Sequence, residues 1–303
     1  MEIIQRIPGS RWKRRYDELP LEEKEKWLGW VLILPSVFLV GLVILYPLVY
    51  NIYLSFHTVP LQPGVPLEWV GLQHYHSLIQ DPEFWSSIKT TVIFTLVSSV
   101  LATTLGLLVA LVMNREFPGR KYARSIILLP YVIPIVAAAF TWRWMLNPTA
   151  GVIPYAATAF FGMGTFDVLS SSDSALWTLI IFDAWRYYPF AFLMFIARAQ
   201  SIPNEMYEAA KIDGASRFAM FKDITLPEMS GVIATTFLLR WIWNFNTFTD
   251  IWLLTHNVKT LPVFTYQTAF ASFKMGLGAA VSVLLLVFLM TFVVIYTRML
   301  GEW

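Results

Sequence analysis

The sequence predicts an all-α integral membrane protein with six transmembrane helices and a polar cytosolic helix between spans four and five. Three observations predict this fold class: the composition, six long apolar segments and the placement of Lys and Arg. The chain of 303 residues is 57% hydrophobic and 14% charged, whereas soluble domains carry about 25% charged residues. The net charge of +2 is too small to indicate a nucleic-acid partner. The composition therefore favours a lipid bilayer as the surrounding medium.

Six segments are long and apolar enough to cross a bilayer. A spanning helix needs about 20 predominantly apolar residues, and the candidates are roughly 28–56, 88–113, 123–146, 175–199, 231–255 and 279–300. A soluble helical bundle is the alternative, but its helices would carry a polar stripe with a 3.6-residue period. Ser282–Tyr296 has no such stripe. Membrane helices also tolerate interruptions such as those in span one, which lie at Pro35, Gly41 and Pro47. Pro130 and Pro134 are predicted to kink span three.

Basic residues predict the orientation of the spans, because short cytoplasmic loops are enriched in Lys and Arg. The tail 1–27 holds seven basic residues, the loop 114–124 holds four, and the loops 57–87 and 147–174 hold none. We therefore expect a multi-pass protein with both termini in the cytosol. Residues 1–27 form a cytosolic tail, in which 19–27 are expected to be a short surface helix and the basic cluster 11–15 to contact anionic lipids. The first apolar run is too long for a cleavable signal peptide.

No metal or catalytic site is predicted. The chain has no cysteine, which excludes disulfides and cysteine-based zinc sites. His74 and His76 are two residues apart, but no third ligand accompanies them, so they are interpreted as ordinary loop residues. No constellation of His, Cys or Ser with catalytic potential occurs in the spans. We therefore expect no enzymatic activity in this chain.

The polar stretch Glu205–Pro227 reads EMYEAAKIDGASRFAMFKDITLP and lies between two strongly apolar segments. Pro203 suits the start of a helix, and Gly214 can supply its left-handed stop. Ala210 and Gly214 are four residues apart and share a face, where small side chains allow another backbone to come close. An interfacial membrane anchor would instead combine a basic face with large apolar residues. The helix is therefore better suited to docking on another protein. The charges on Glu208, Lys211 and Asp213 would then fix its position on that partner.

This stretch resembles the EAA loop of ATP-binding-cassette (ABC) importer permeases. The residues that carry the resemblance are Glu208, Ala209, Ala210, Asp213, Gly214, Ala215, Ile224, Leu226 and Pro227. The flanking sequences QSIPNEMYEAA and WIWNFNTFTDIWLLT resemble the carbohydrate (MalF-like) group, as does VGLQHYHSLIQDPEFWSSIKTTVIFT. The resemblance makes 28–303 a permease transmembrane domain with its EAA loop at about 201–230. Gly231 departs from the family, whose members often have a proline near this position.

The resemblance implies a transport mechanism. The EAA helix of these permeases docks in a cleft on a cytosolic ATPase, and closure of the ATPases around ATP rocks the spans from inward-open to outward-open. Glu208 would be the charged anchor, Gly214 the turn, and Ala209 and Ala210 the closely packed face. This chain lacks the phosphate-binding motif G-x-x-x-x-G-K-[ST], so ATP and Mg would be bound by the partner ATPase dimer and no cofactor by this chain. A second homologous permease subunit and an extracytoplasmic sugar-binding protein would complete the complex in the cytoplasmic membrane of a prokaryote.

Ionisable residues inside spans are costly and often functional, and four of them occur here. Asp183 and Arg186 could pair on one helix face or line the pathway. In span five, aromatic rings alternate with amides and a carboxylate. Proteins bind sugars with such side chains, but these polar groups could equally form hydrogen bonds between helices. Tyr187 to Pro189 are expected to break span four. The pathway candidates are Asn244, Asn246, Asp250, Trp241, Trp243, Tyr187, Tyr188 and Arg240.

A secondary transporter and a membrane-embedded enzyme are the alternatives to a sugar importer. An ion-coupled secondary transporter often shows internal repeats around a midplane site, but no repeat is visible and the polar loop would be unexplained. A membrane-embedded enzyme lacks its catalytic groups. Within the importer class, glycerol 3-phosphate or another polyol stays open, because Arg240 would be compatible with a phosphate. The sequence does not specify which sugar is carried.

Overall fold

The fold is mostly helical, with one short hairpin. The computed structural model describes residues 20–62, 64–162, 164 and 166–300. In this part of the chain, the antiparallel strands β1 (His57–Thr58) and β2 (Glu68–Trp69) form a two-stranded sheet. The helices are α1 (Leu21–Leu54), α2 (Gln73–Gln80), α3 (Pro82–Met113), α4 (Arg120–Val132), α5 (Ile135–Met145), α6 (Val152–Phe161), α7 (Ser172–Ser201), α8 (Asn204–Ile212), α9 (Arg217–Met220), α10 (Leu226–Phe245), α11 (Thr249–Leu254), α12 (Leu261–Tyr266) and α13 (Met275–Leu300).

Among the described residues, four helices, α1, α3, α7 and α13, are long and apolar enough to cross a membrane, and the bent pair α4–α5 makes a fifth crossing if the two form one span. These five correspond to predicted spans one, two, four, six and three. The predicted span 231–255 is instead divided between α10 and α11 by the non-helical residues 246–248. Neither piece belongs to the long apolar class among the described residues. The count of six spans therefore stays a prediction.

The centre of the fold is the pair α3 and α7, which pack along each other and receive α10 on one side. A small residue permits this close approach: a Cβ atom placed on Gly106 would lie 2.5 Å from the Cβ of Ala191. Small residues have the same role at many membrane helix interfaces. Phe94 of α3 and Phe182 of α7 are fully buried in this core. The tight α3–α7–α10 interface positions the charged side chains described below.

Helix α1 corrects the prediction for residues 19–27. It begins at Leu21 and runs without interruption to Leu54, with a π-helical turn at Gly41–Leu45. Residues 21–27 are therefore the first turns of the span-one helix and not a separate surface helix. Glu22 and Glu23 lie in the first turn, where negative charge is favoured by the helix dipole. The predicted lipid contact of residues 11–15 lies outside the described residues.

The prolines of spans three and four behave differently. The predicted kink in span three is confirmed: the axes of α4 and α5 differ by 91° across Ile133 and Pro134. The predicted break in span four at Tyr187–Pro189 is wrong, because α7 continues through Pro189. Pro189 is buried, and one missing backbone donor is tolerated where neighbouring helices surround the site.

Candidate functional site

The polar stretch between α7 and α10 folds as a short helix with a well-defined end. Helix α8 is followed by Gly214, which has φ +78°. The N–H of Ala215 donates to the carbonyl of Ala210 at 2.9 Å, and the N–H of Gly214 donates to that of Lys211 at 3.1 Å. These two bonds are the Schellman arrangement, which satisfies carbonyls that a helix end would otherwise leave free. The glycine therefore ends α8 abruptly and turns the chain into α9.

Two side-chain contacts tie this region to the long helices. The hydroxyls of Tyr207 and Thr225 lie 2.9 Å apart and join α8 to the π-helical turn Phe221–Thr225 that precedes α10. Arg198, near the end of α7, donates to the Glu228 carboxylate at 2.5 Å and to the Glu228 carbonyl at 2.8 Å. The half-exposed ion pair contributes little by itself, but the second bond fixes its geometry. Helix α8 is therefore joined to the turn before α10, and the end of α7 is joined directly to α10.

The outer face of α8 and α9 is exposed and mixed in character. Of the residues that carry the EAA resemblance, Glu208, Ala209, Asp213, Gly214, Leu226 and Pro227 are exposed, whereas Ala210 and Ala215 are half-buried. Two large apolar side chains accompany them: Ile212 is 87% exposed and Phe218 is 73% exposed. The sequence reasoning missed both, although their position beside the charged residues could have indicated a contact surface. A groove of about 790 Å³ runs between α8, α9 and the ends of the long helices.

A second group of polar side chains is buried between α3, α7 and α10. Arg240 donates to the Asp183 carboxylate at 2.7 Å and to the Asn244 side-chain oxygen at 2.6 Å. The Asn244 amide nitrogen in turn donates to Ser99 at 3.2 Å and to Asp183 at 3.3 Å. Arg240 is only 1% exposed, and its guanidinium lies over the Tyr187 ring at 4.2 Å. These side chains form one hydrogen-bonded network between the three helices.

The expected pairing of Asp183 with Arg186 is not present, because Arg240 takes the Asp183 carboxylate. Arg186 donates instead to the backbone carbonyls of Ile133 at 2.8 Å and Pro130 at 3.3 Å. The spacing of Asp183 and Arg186 on α7 allows a pair within the helix, but α10 places Arg240 closer to the Asp183 carboxylate. The remaining span carboxylate, Asp250 of α11, accepts a hydrogen bond from the Tyr187 hydroxyl at 3.0 Å.

The other pathway candidates are dispersed. Trp241 is buried and stacks on Phe292 with ring centroids 3.8 Å apart. Trp243 is 43% exposed and meets the edge of Phe190 at 4.9 Å. Asn246 is exposed and donates to the Ile242 carbonyl at 2.9 Å, and the Tyr188 hydroxyl lies 3.5 Å from the Ile127 carbonyl. Trp243 and Asn246 are therefore exposed on this chain, whereas Trp241, Arg240 and Asn244 are buried.

The histidines of the predicted outer loops have structural contacts. The Nδ1 atom of His57 donates to the Tyr53 carbonyl at 2.7 Å, and the Nε2 atom of His74 donates to the His57 carbonyl at 3.1 Å. No group of three or more His, Cys, Asp or Glu side chains could hold a metal ion within residues 20–62, 64–162, 164 and 166–300. These contacts fasten the β1–β2 hairpin and α2 to the end of α1.

Comparison with known proteins agrees with this architecture. The family described as "Binding-protein-dependent transport system inner membrane component" matches residues 102–300. The inner membrane ABC transporter permease protein YcjO of Escherichia coli (strain K12) is 38% identical over 270 residues, covering 88% of this chain and 92% of YcjO. The trehalose/maltose transport system permease protein MalF of Thermococcus litoralis is 34% identical over 286 residues, covering 92% of this chain and 95% of that protein.

A solved structure shows the same fold. A chain of the crystal structure of a bacterial ABC transporter involved in alginate import superposes with a TM-score of 0.77. The two sequences are 23% identical, and the alignment covers 92% of this chain and 96% of the other. The fold and the family match define a multi-pass membrane protein of the transport permease class. The chain belongs to the binding-protein-dependent ABC importer permeases, in their carbohydrate (MalF-like) group.

Proposed function

We propose that the chain is one of two homologous transmembrane subunits of an ATP-driven importer that moves a sugar across the cytoplasmic membrane. The energy for transport comes from a separate ATPase dimer, which binds ATP and Mg. This dimer also binds α8. The observation that carries this proposal is the exposed, abruptly ended α8 between the long helices α7 and α10. A rigid helix anchored at its base converts the motion of a partner into a tilt of both long helices.

The exposed surface of α8 and α9 supports a protein partner. Ile212 and Phe218 expose large apolar side chains, and such exposure marks interaction sites when it is surrounded by polar residues. Glu208 and Lys211 line the adjacent groove and provide charges of both signs. A partner that binds this surface differently in its nucleotide states can shift the equilibrium between inward-open and outward-open forms. The ATPase is the partner that needs this property.

A sugar substrate is supported by the names of the relatives. One is named for trehalose/maltose transport, and SugA of Mycobacterium tuberculosis, 28% identical over 284 residues, is named for trehalose transport. A separate binding protein is supported by the alginate transporter, which was solved in complex with an alginate pentasaccharide-bound periplasmic protein. The argument for a phosphate-bearing substrate weakens, because Arg240 is buried and neutralised by Asp183.

The sugar-facing surface that we propose is an aromatic strip on α4, α7 and α10. Tyr131 lies 6.2 Å from Tyr187 and 6.3 Å from Phe190, and Phe190 lies 4.9 Å from Trp243, all between ring centroids. Tyr131 and Trp243 are 38% and 43% exposed. Flat rings suit the C–H faces of sugars, and the buried Asp250 supports the strip by accepting a hydrogen bond from Tyr187. Asn246 lines a separate cavity of about 380 Å³ with Asn51 and Thr265.

The proposal is tested in proteoliposomes that contain the ATPase, both permease subunits and the binding protein. We expect ATP hydrolysis to be stimulated by trehalose, maltose or a related sugar, and not by glycerol 3-phosphate. Glu208→Lys reverses an exposed charge, and Gly214→Asp places a charged side chain at the left-handed residue that ends α8, a conformation that glycine adopts most easily. Both variants should insert normally but uncouple hydrolysis from uptake.

The matched control is Glu116→Lys, the same charge reversal at an exposed position of the loop between α3 and α4. It should leave coupling intact. Normal uptake by both α8 variants would overturn the coupling role, and hydrolysis that no sugar stimulates would overturn the substrate class.

A further inference from the structure

The break between α4 and α5 leaves backbone groups without helical partners. In an uninterrupted helix, the Pro130 carbonyl would accept from the N–H of residue 134, but residue 134 is a proline and has none. Ile133 precedes that proline and has φ −60° and ψ 131°, the extended conformation that a following proline favours. Its carbonyl therefore leaves the helix as well. Inside a bilayer, each unsatisfied backbone group costs several kcal/mol.

Arg186 meets both of these carbonyls from the neighbouring helix α7. Its Nη1 atom lies 2.8 Å from the Ile133 oxygen and 3.3 Å from the Pro130 oxygen. The side chain is 7% exposed, and none of the ion pairs in the described part of the chain involves it. A guanidinium has five donors in a rigid fork, so it can serve two acceptors at once. Its guanidinium carbon also lies 5.4 Å from the centre of the Tyr187 ring.

We propose that Arg186 is a positioning residue that supplies the donor Pro134 lacks, holds the 91° break, and thereby keeps the span in the shape that transport requires. This inference rests on the proposed function for its transport part. The geometric part depends only on the chain itself.

The surroundings explain why the break would matter for transport. It allows α4 to pack on α7 while α5 packs on α11. Tyr131, just before the break, contributes to the aromatic strip, and α11 carries Asp250, which accepts from Tyr187. A straight span would remove α5 from α11 and disturb the support of the strip. The same bundle could still fold, but the proposed sugar path would change.

The decisive variants are Arg186→Met alone and in combination with Pro134→Ala. Arg186→Met removes the donor, and Pro134→Ala restores a backbone N–H that can bond the Pro130 carbonyl in a straight helix. We expect Arg186→Met to lower the folded yield and to reduce uptake about tenfold or more, as for the loss of a buried charge-assisted hydrogen bond. The double variant should recover the folded yield but not the uptake. Arg186→Lys, which keeps charge and donors, should retain part of the uptake.

The shape of the span can be measured directly, because the chain has no cysteine. Spin labels on Tyr122→Cys and Trp144→Cys, at positions 75% and 60% exposed, report on the full-length chain in the assembled complex. At 1.5 Å per residue, their backbones lie about 23 Å apart across a right-angle break and about 33 Å apart along a straight helix. We expect the short distance with Arg186 or Lys at this position and the long one in the double variant.

Three results would overturn the inference. The first is an Arg186→Met variant with unchanged distance and uptake. The second is a double variant whose folded yield stays low, since loss of charge rather than of a donor would then be the cause. The third is a double variant that is straight yet transports normally. Failure of the parent complex to import any sugar would count against the proposed function, while the distances would still decide the role of Arg186.

Discussion

Arg240 and Asp183 illustrate how a charge is accommodated inside this bundle. Each is 1% exposed in its side chain, and the two lie 2.7 Å apart. Removing both charges from water is costly, and their attraction offsets the cost only with good geometry and further hydrogen bonds. Asn244 provides such bonds to both partners and links them to Ser99. The network is therefore best understood as a fixed joint between α3, α7 and α10.

This interpretation predicts opposite results for single and double replacements. Asp183→Asn or Arg240→Met alone leaves a buried charge without its partner, and we expect a loss of about 3–5 kcal/mol. The double variant Asp183→Leu/Arg240→Met removes both charges and should recover most of that loss. Thermal unfolding of the purified protein in detergent measures the effect. If both charges instead serve the substrate, the double variant would be stable but inactive, and stability with normal uptake would confirm the structural role.

At this scale the sequence identified the ionisable residues but not their partners. Asp183 and Arg186 are three residues apart, which allows a pair on one helix, but α10 and the broken span compete for them in space. A competition of this kind depends on helix packing, which spacing alone does not contain. For Ile212 and Phe218, the charged neighbours in the sequence could have indicated a contact surface, but their exposure depends on how α8 and α9 pack.

At the scale of elements, α8, α9 and the start of α10 form one connected unit. The Ser216 hydroxyl accepts from the Ala219 N–H at 3.2 Å and caps α9, while Tyr207 and Thr225 join α8 to the turn before α10. A lever transmits motion only if its joints are stiff. Weakening the hydrogen bond between Tyr207 and Thr225 should therefore lower the number of sugar molecules imported per ATP hydrolysed.

Tyr207→Phe tests the stiffness of this joint. The change removes one hydrogen bond, with a net loss of about 0.5–1.5 kcal/mol, and leaves the aromatic ring in place. We expect normal insertion and normal ATP hydrolysis, but fewer sugar molecules imported per ATP. Tyr122→Phe, at a position 75% exposed, is the matched control and should change nothing. An unaltered ratio in Tyr207→Phe would show that the joint does not transmit the motion.

Element boundaries could be predicted where they depend on local chemistry. Gly214 ends α8 because a left-handed residue is required there, and Pro134 breaks span three because it lacks a donor. The predicted break at Pro189 failed because surrounding helices support α7. The division of residues 231–255 into α10 and α11 was not foreseen, since its polar residues resembled a lined pathway rather than an interruption.

At the scale of the whole molecule, the orientation of the loops is an electrostatic prediction. The loops 57–87 and 147–174 carry no Lys or Arg, and 114–124 carries four. Placing 114–124 and 201–230 in the cytosol puts α8 on the side where an ATPase would act. The same placement puts the β1–β2 hairpin and α6 outside, toward a binding protein.

Labelling of single cysteines in spheroplasts checks this orientation. A membrane-impermeant maleimide should react with cysteines introduced at Glu68 and Ser170, and with cysteines at Glu116 and Phe218 only after permeabilisation. All four positions are exposed in the chain itself, so in cells that produce this chain without its ATPase, accessibility depends on the side of the membrane alone. Reaction of the Phe218 position in intact spheroplasts would place α9 outside and contradict the coupling proposal.

The π-helical turn in α1 changes which residues lie on the same face of the helix. A π turn accommodates one residue more than an α turn, and each helical residue advances by about 100° around the axis. The stripe that faces one direction in Leu21–Val40 is therefore rotated relative to its continuation in Tyr46–Leu54. A mutagenesis scan that replaces every seventh residue to stay on one face would therefore move to a different face at Gly41–Leu45. Positions should be counted separately on each side of that turn.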